Sequence, residues 1–361
     1  VLTGPGLFLE KFVKQFEVTL VSSGKTFTVD EGENILAAAL RQGVMLPYSC
    51  KNGTCGSCKG KLESGSVHYP FHPPQALEDG EAEQGCALMC QAEPLEDLMV
   101  RVREIEAVRD IQVRMLPARV VEKDFLSENV ARIVLCLPKS QRLQFLAGQY
   151  VEVLLSGGKR RAFSIASCPS LESEIELHIR HVEGGDFTGF VFDELKVRDI
   201  MRFEGPLGTF FVRNDHPERP MILMGGGTGF APLKSMVENL LEHHDQREIH
   251  LYWGARNAAE LYMDGLPTSW AEKHPHVHYH RAVSEPSDDP GFEAYQGFVH
   301  EAVAANHPDL SGFDVYMSGP PAMIEAAKPV FLELGLPENR LYYDSFEFGL
   351  DVPVQVLKKP H

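Results

Sequence analysis

Five of the chain's seven cysteines lie between Cys50 and Cys90, three of them in the run Cys50-Lys-Asn-Gly-Thr-Cys55-Gly-Ser-Cys58. A C-x4-C-x2-C run with a distant fourth cysteine, Cys90, restricts the fold severely. The run must close into one tight loop, and another segment must return Cys90 to it, so that four thiolates meet around a compact anionic group. That is the ligand layout of a [2Fe–2S] cluster. Gly53 and Gly56 let such a loop take unusual φ angles and turn N–H groups toward the sulfurs. Those N–H groups, with solvent exposure, tune the reduction potential. Four thiolates also suit Zn²⁺, but zinc sites usually pair one C-x2-C with a second, and only Cys55–Cys58 has that spacing. Cys86 is an alternative fourth ligand; Cys90-Gln91 after Leu88 fits the cluster layout better. Disulfides would be expected of such cysteines in a secreted chain, metal or redox chemistry in a cytosolic one. Cys136 and Cys168 read as ordinary small residues.

The remainder must house whatever feeds such a group. With 361 residues, 43% of them hydrophobic and 24% charged, the chain has room for two or three globular domains and excludes disorder or a coiled coil. Lys plus Arg number 34 against 51 Asp plus Glu, a net charge of −17. Such a charge argues against nucleic acid or an anionic membrane as main partner and fits docking of a basic protein. No apolar run approaches the ~18 residues of a membrane span, and Val-Leu-Thr-Gly-Pro-Gly at the start lacks a basic n-region, so a cytoplasmic chain without signal peptide is expected.

Three blocks follow from composition and periodicity: 14–106, 112–214 and 217–348. The first opens with a hairpin over 16–20 and 26–29 across Ser23-Gly24, then a helix over 34–42 stopped by Gly43. The second is strand-rich, with strands over 131–137, 149–155, 162–166 and 175–181, as in an antiparallel β-barrel. The third alternates strands (221–224, 249–253, 277–283, 314–317, 341–346) with helices (233–243, after Gly297, 322–334), implying an α/β doubly wound parallel sheet.

In the second block, Arg161-Ala162-Phe163-Ser164 lies on a strand, where an arginine fork matches phosphate oxygens and Ser164 is placed to hydrogen-bond a flavin ring near N5. Gly184-Gly185-Asp186-Phe187-Thr188 opens a helix, a natural anion site. Gly205-Pro206-Leu207-Gly208-Thr209-Phe210 reads as a tight turn. Each alone is an ordinary strand or turn; their order and spacing point to FAD. In the third block, Gly225-Gly226-Gly227-Thr228-Gly229-Phe230-Ala231-Pro232 joins a buried strand to a helix, allowing a pyrophosphate to approach backbone amides, although G-x-G-x-x-G is absent. Ser318-Gly319-Pro320-Pro321-Ala322-Met323 gives a comparable turn at a later strand end. Ser284-Glu285 after the strand over 277–283 would repel a 2′-phosphate, favouring NADH over NADPH.

These motifs in this order resemble the ferredoxin–NAD(P)+ reductase superfamily in its form with an N-terminal plant-type [2Fe–2S] ferredoxin, across about residues 15–348. Reductase components of bacterial oxygenases and CDP-6-deoxy-3,4-glucoseen reductases are most similar. The latter share Pro47-Tyr-Ser-Cys50 through Gly60 and Glu176-Leu-His-Ile-Arg180. The resemblance implies a β-grasp-type α+β ferredoxin domain, an antiparallel β-barrel flavin domain and an α/β nucleotide domain. It implies that Cys50, Cys55, Cys58 and Cys90 hold the cluster. Arg161, Ala162, Phe163, Ser164, His178, Ile179, Arg180, Gly185 and Thr188 would bind FAD. Gly226, Thr228, Gly229, Gly319 and Pro320 would bind the nicotinamide nucleotide. Ser318 stands where many relatives have cysteine; hydride transfer depends chiefly on stacking geometry, so activity is expected to survive. Ser164 and Glu347, the best match to the relatives' C-terminal acidic group, would support the reaction.

The implied route runs from NADH to FAD to the cluster to a partner protein, most readily a terminal oxygenase. A pyridoxamine-phosphate-dependent sugar dehydrase is the alternative acceptor. A non-catalytic redox-sensing module is a third reading, against which the intact glycines and the Arg-x-Phe-Ser string stand. Two further features read blandly. His274, His276, His278 and His280 alternate as on one strand face, a loose basis for a metal tract. Glu78, Asp79, Glu81 and Glu83 form a solvated run able to steer a basic partner.

Overall fold

The computed structural model describes residues 14–108, 111–171, 173–286 and 291–346, and the chain divides into two compact units near residues 109 and 110. In the first unit, β1 (Gln15–Leu20) and β2 (Thr26–Asp30) form the expected hairpin, with Phe16, Val18 and Leu20 turned inward. Helix α1 (Ile35–Arg41) starts where the Asn34 side chain accepts from the Ala37 N–H, and it buries Ile35, Leu36, Ala38 and Ala39. Then come β3 (Lys59–Ser64), β4 (Val67–His68), β5 (Cys86–Leu88), β6 (Glu93–Pro94) and β7 (Leu98–Arg101). The main sheet has the order β2-β1-β7-β3-β5, with β1 and β7 parallel and the other pairs antiparallel. A helix packed on a mixed sheet with a parallel central pair is the β-grasp arrangement anticipated from the sequence.

The second unit begins with β8 (Arg114–Ser127), β9 (Val130–Cys136), β10 (Tyr150–Leu154), β11 (Arg160–Ser164), β12 (Glu174–Arg180), α2 (Asp186–Asp193) and β13 (Ile200–Leu207). These strands form one antiparallel sheet in the order β11-β10-β13-β8-β9-β12. Its end strands meet through an Ile165–Leu177 bridge and the Ala166 N–H to Glu176 carbonyl bond of 2.8 Å, so the sheet curls back on itself. Ile133, Leu135, Val151, Val153, Leu177 and Phe203 fill its interior with Phe187 and Val191 of α2. Two of its six strands, β8 and β13, were not anticipated. Gly205, Pro206 and Leu207 do not belong to a turn: they end β13, paired with Arg114 and Tyr150.

The unit continues with β14 (Met221–Gly226), α3 (Phe230–Glu242), β15 (Ile249–Ala255), α4 (Gly265–Lys273), β16 (Val277–Val283), β17 (Tyr295–Gln296), α5 (Val299–Asn306), β18 (Asp314–Gly319), α6 (Pro321–Glu333) and β19 (Leu341–Ser345). All six strands are parallel, in the order β17-β16-β15-β14-β18-β19. The order reverses between β14 and β18, and in doubly wound sheets ligands bind beyond the strand ends at such a reversal. Helix α3 starts three residues earlier than expected. Pro232 sits in its first turn, where the missing N–H breaks no intrahelical bond. Among the described residues, no helix is long and apolar enough to cross a membrane.

Candidate redox site

In the first unit, residues 50–58 form the loop between α1 and β3, with φ of +87° at Gly53 and +77° at Gly56. Cys90 follows β5, and the Gln91 side-chain amide ties it to the loop by donating to the Lys51 carbonyl at 3.0 Å. Cys55, Cys58 and Cys90 are buried and Cys50 is partly exposed; all seven thiols are free. The Cys55 N–H points at Cys50 Sγ (3.4 Å) and the Ser57 N–H at Cys55 Sγ (3.5 Å). A hydrogen bond from Cys55 draws the Cys50 thiol down to about 5, and one from Cys90 lowers Cys58. The donors, Cys55 and Cys90, are pushed up by the same bonds and by burial. The sulfurs therefore gather two and two, and no three of them lie within 4.8 Å of one another. A single tetrahedral Zn²⁺ at Zn–S bonds of about 2.3 Å would hold all four within roughly 3.8 Å of each other. The pairing of Cys50 with Cys55 and of Cys58 with Cys90 suits a two-iron group, which these four thiolates would hold. Cys86 belongs to neither pair.

In the second unit, the two glycine-bearing turns meet at the reversal of strand order. Gly225 pairs with Ser318; one chain then turns through Gly227–Gly229 into α3, the other through Pro320 into α6. A Cβ on Gly229 would stand 2.0 Å from the Ser318 carbonyl oxygen, and one on Gly226 would stand 2.6 Å from Met323 Sδ and 3.1 Å from Pro320 Cδ. Gly319 has φ +152° and lies against the Gly226 backbone. The result is a cleft walled by bare main chain and helix N-termini, flanked by half-buried Thr228 and Pro320, which suits a pyrophosphate. Ser318 Oγ is wholly buried there without a hydrogen-bond partner. One residue that the sequence motifs did not include braces the turn: Trp253 donates from Nε1 to the Gly227 carbonyl (2.9 Å) and stacks on Phe230 at 3.9 Å.

Facing this cleft, β11 places Arg161 and Phe163 on one face and Ala162 and Ser164 on the other, as strand alternation requires. Phe163 packs 5.5 Å from Phe187. Ser164 Oγ lies 3.5 Å from Asp344 Oδ2 of β19, so the end of β11 sits beside the parallel sheet. Gly185 caps α2, and Thr188 Oγ1 closes that turn on Val182. Of the β12 triplet, Ile179 is buried in the sheet core. His178 has no exposed side chain, and both its nitrogens are engaged, Nδ1 with Tyr262 (3.0 Å) and Nε2 with Glu176 (2.8 Å). Neither side chain offers a free polar group to a ligand. Arg180 is half-buried and ion-paired: it reaches Glu260 at 3.5 Å, and its Nη1 lies against Gly227. Glu347 lies outside the described residues.

Buried charges join the antiparallel sheet to α3. Glu176 receives Arg132 Nε (3.0 Å) and Lys234 Nζ (3.4 Å) as well as His178. Lys234 also donates to the Ala166 carbonyl and to Glu238, and Ser235 to the Ser167 carbonyl. Burial works to raise the Glu176 carboxyl, but His178, Lys234 and Arg132 outweigh it and bring it down to about 2. Burial lowers His178 against the pull of Glu176. For both groups the unfolded chain binds protons that the folded chain refuses, so their stabilisation is complete above about pH 6.5 and is lost as the pH falls. Calorimetry between about pH 7.5 and 4.5 is expected to show the melting temperature falling, with His178→Gln flattening the fall that begins near 6.5. A Lys234→Met variant, which leaves Glu176 short of a partner, is expected to lose about 3 kcal/mol or more in denaturant melts.

Comparison with known proteins agrees with this layout. Residues 18–95 match the 2Fe-2S iron-sulfur cluster binding domain, 117–212 the oxidoreductase FAD-binding domain and 223–329 the oxidoreductase NAD-binding domain. The CDP-6-deoxy-L-threo-D-glycero-4-hexulose-3-dehydrase reductase of Yersinia pestis is 42% identical over 91% of this chain and 98% of its own length. The reductase component of phenol 2-monooxygenase from Pseudomonas sp. strain CF600 is 38% identical over 93% and 96%. The crystal structure of an Amycolatopsis cytochrome P450 reductase superposes with a TM-score of 0.74 at 36% identity, covering 92% of this chain and 98% of that one. The chain belongs to the ferredoxin–NAD(P)+ reductase superfamily, in the branch with an N-terminal plant-type [2Fe–2S] domain. It is an NAD(P)H-dependent iron–sulfur flavoprotein oxidoreductase.

Proposed function

We propose that the chain is the NADH-dependent reductase of a two-protein redox system, delivering electrons to a terminal oxygenase. The observation that carries the reading is the presence, in one chain, of thiols grouped two and two and of a bare-backbone cleft facing a flavin-type strand. When bound, the groups supply hydride acceptance at the flavin and single-electron carriage at the cluster. Domains spanning 14–106, 112–214 and 217–348 would divide the labour. Cys50, Cys55, Cys58 and Cys90 hold the cluster. Arg161 and the α2 N-terminus at Gly185 hold flavin phosphates, while Phe163, Ser164 and Thr188 shape its pocket. Gly226, Thr228, Gly229, Gly319 and Pro320 admit the nucleotide, and buried Ser318 keeps the cleft small and polar where hydride must pass. Arg180 braces the joint between the cofactor pockets.

The sugar-dehydrase reading rests on a separate observation, the 42% identity to a dehydrase reductase. Steady-state assays of the purified chain with a phenol-type oxygenase and with a pyridoxamine-phosphate-dependent dehydrase separate the two. Coupled turnover with the oxygenase alone supports the first reading, and turnover with the dehydrase alone overturns it. Nucleotide choice has its own support. Glu285, just past β16, lies 3.4 Å from Asn257 Nδ2, and the neighbouring Arg256 is already paired with Glu260. An acid at the strand end and an occupied arginine disfavour a 2′-phosphate. Ferricyanide assays are expected to give NADH a kcat/KM at least about tenfold above NADPH, roughly 1.4 kcal/mol of discrimination.

A further inference from the structure

The histidines that alternate in sequence do not share a strand face: His274 ends α4, His276 lies in the following turn, and only His278 and His280 are on β16. Their significance comes from the neighbouring strand. His250 of β15 is in register with His278, and their rings stack with centroids 4.7 Å apart. Glu248 Oε1 lies 3.2 Å from His278 Nε2 and 3.6 Å from His250 Nε2. Glu248, His250 and His278 are the one group of three among the described residues whose donor atoms all fall within 4.8 Å of one another. A tetrahedral Zn²⁺ with bonds of about 2.0–2.1 Å sets neighbouring donors roughly 3.3–3.4 Å apart, between the two observed spacings.

The surroundings hold more imidazole nitrogen than the protein uses. His307 and His280 flank the His250 ring at 4.6 and 5.9 Å. His250 Nδ1, His280 Nε2 and His307 Nε2 are all buried without a hydrogen-bond partner. Buried polar atoms normally find partners, so three orphaned nitrogens around one carboxylate and two imidazoles mark a donor-rich pocket. Solvent reaches it, because the Glu248 and His278 side chains are 55% and 38% exposed. His250 pairs with Ile222, four residues before Gly226 and thus about 13 Å from the glycine turns. The pocket is separate from the nucleotide cleft.

We infer that Glu248, His250 and His278 form a binding site for a divalent transition cation, Zn²⁺ by its mixed imidazole and carboxylate donors, clamping the first residues of β15 and β16. Water completes the tetrahedron, as at other sites with three protein ligands. The N2O donor set selects zinc, nickel or copper over magnesium or calcium. The test is calorimetric titration of Zn²⁺ into the untagged full chain with its visible absorbance intact, repeated for Glu248→Gln, His278→Ala and the nearby control His274→Ala. One Zn²⁺ per chain is expected for the native and control proteins. The two ligand variants should bind more weakly by at least the roughly 10–100-fold that even outer-shell substitutions cost. Zn²⁺ should also raise the melting temperature of the native chain and not that of the ligand variants. Equal binding by all four proteins, loss in the control to the same extent, or no binding by the native chain would overturn the site.

Discussion

Replacing Cys55 by serine is expected to cut NADH-driven cytochrome c reduction by about a hundredfold or more while NADH-driven ferricyanide reduction stays within about twofold. The separation follows from where the residues lie. Cys55 belongs to a loop of the first compact unit, buried and hydrogen-bonded to its pair partner Cys50. The glycine cleft and the flavin-type strand lie wholly within the second. A serine oxygen is a harder and less readily ionised donor than a thiolate, so iron content should fall with the cytochrome c activity. Cys86→Ser is the informative companion. Cys86 lies on β5 opposite Lys61 and joins neither thiol pair, so both assays and the iron content should be unchanged. If Cys86→Ser loses iron and Cys90→Ser keeps it, the assignment of the fourth ligand is wrong.

The opposite phenotype is expected at Gly229. A Cβ there would have to occupy space 2.0 Å from the Ser318 carbonyl oxygen. That obstacle is main chain, which no rotamer change relieves, so the turns after β14 and β18 must part. Displacement of about 1 Å at a positioning element can cost a hundredfold in rate, and Gly229→Ala is expected to lower NADH-ferricyanide turnover by about that factor. The visible absorbance and iron content should remain, because the cysteines lie in the other unit. Gly265→Ala, with no atom within 4 Å of the added methyl, should leave turnover unchanged. An active Gly229→Ala variant would mean that the two turns do not form the nucleotide cleft.

Much of this architecture was legible in the residue order because it is local. The C-x4-C-x2-C spacing needs a single loop, and Gly225 to Gly229 needs a strand running into a helix. The hairpin around Ser23-Gly24 and the helix ended by Gly43 are likewise short-range events. What escaped depends on pairing between distant segments. Strand β8 is obscured by Pro117 and by alternation that breaks down past Val120, where register slips against β9. Gly205 and Pro206 carry turn chemistry, yet neighbours on both sides hold them in β13.

The site shows the same division. Glycines announced the cleft, while Trp253, which braces its turn, and Glu176 and Asp344, which meet Lys234 of α3 and Ser164 of β11, come from strands far away in the chain. Lys234 did carry a signal, as a lone cation amid the apolar Phe230, Leu233, Met236 and Val237, which demands a buried counter-charge. His178, named through the resemblance of Glu176-Leu-His-Ile-Arg180, has both ring nitrogens engaged by Tyr262 and Glu176, a pairing that depends on segments distant in the chain.

The central claim is that one polypeptide carries electrons from a nicotinamide through a flavin to iron. Anaerobic titration of the purified chain with NADH, followed in the visible spectrum, tests it most directly. The native protein should be brown, and NADH should bleach the flavin band and the broader iron–sulfur absorbance together, with Cys55→Ser showing only the flavin change. A yellow native protein whose spectrum responds only at the flavin band, or one whose thiols prove to hold zinc, would contradict the account.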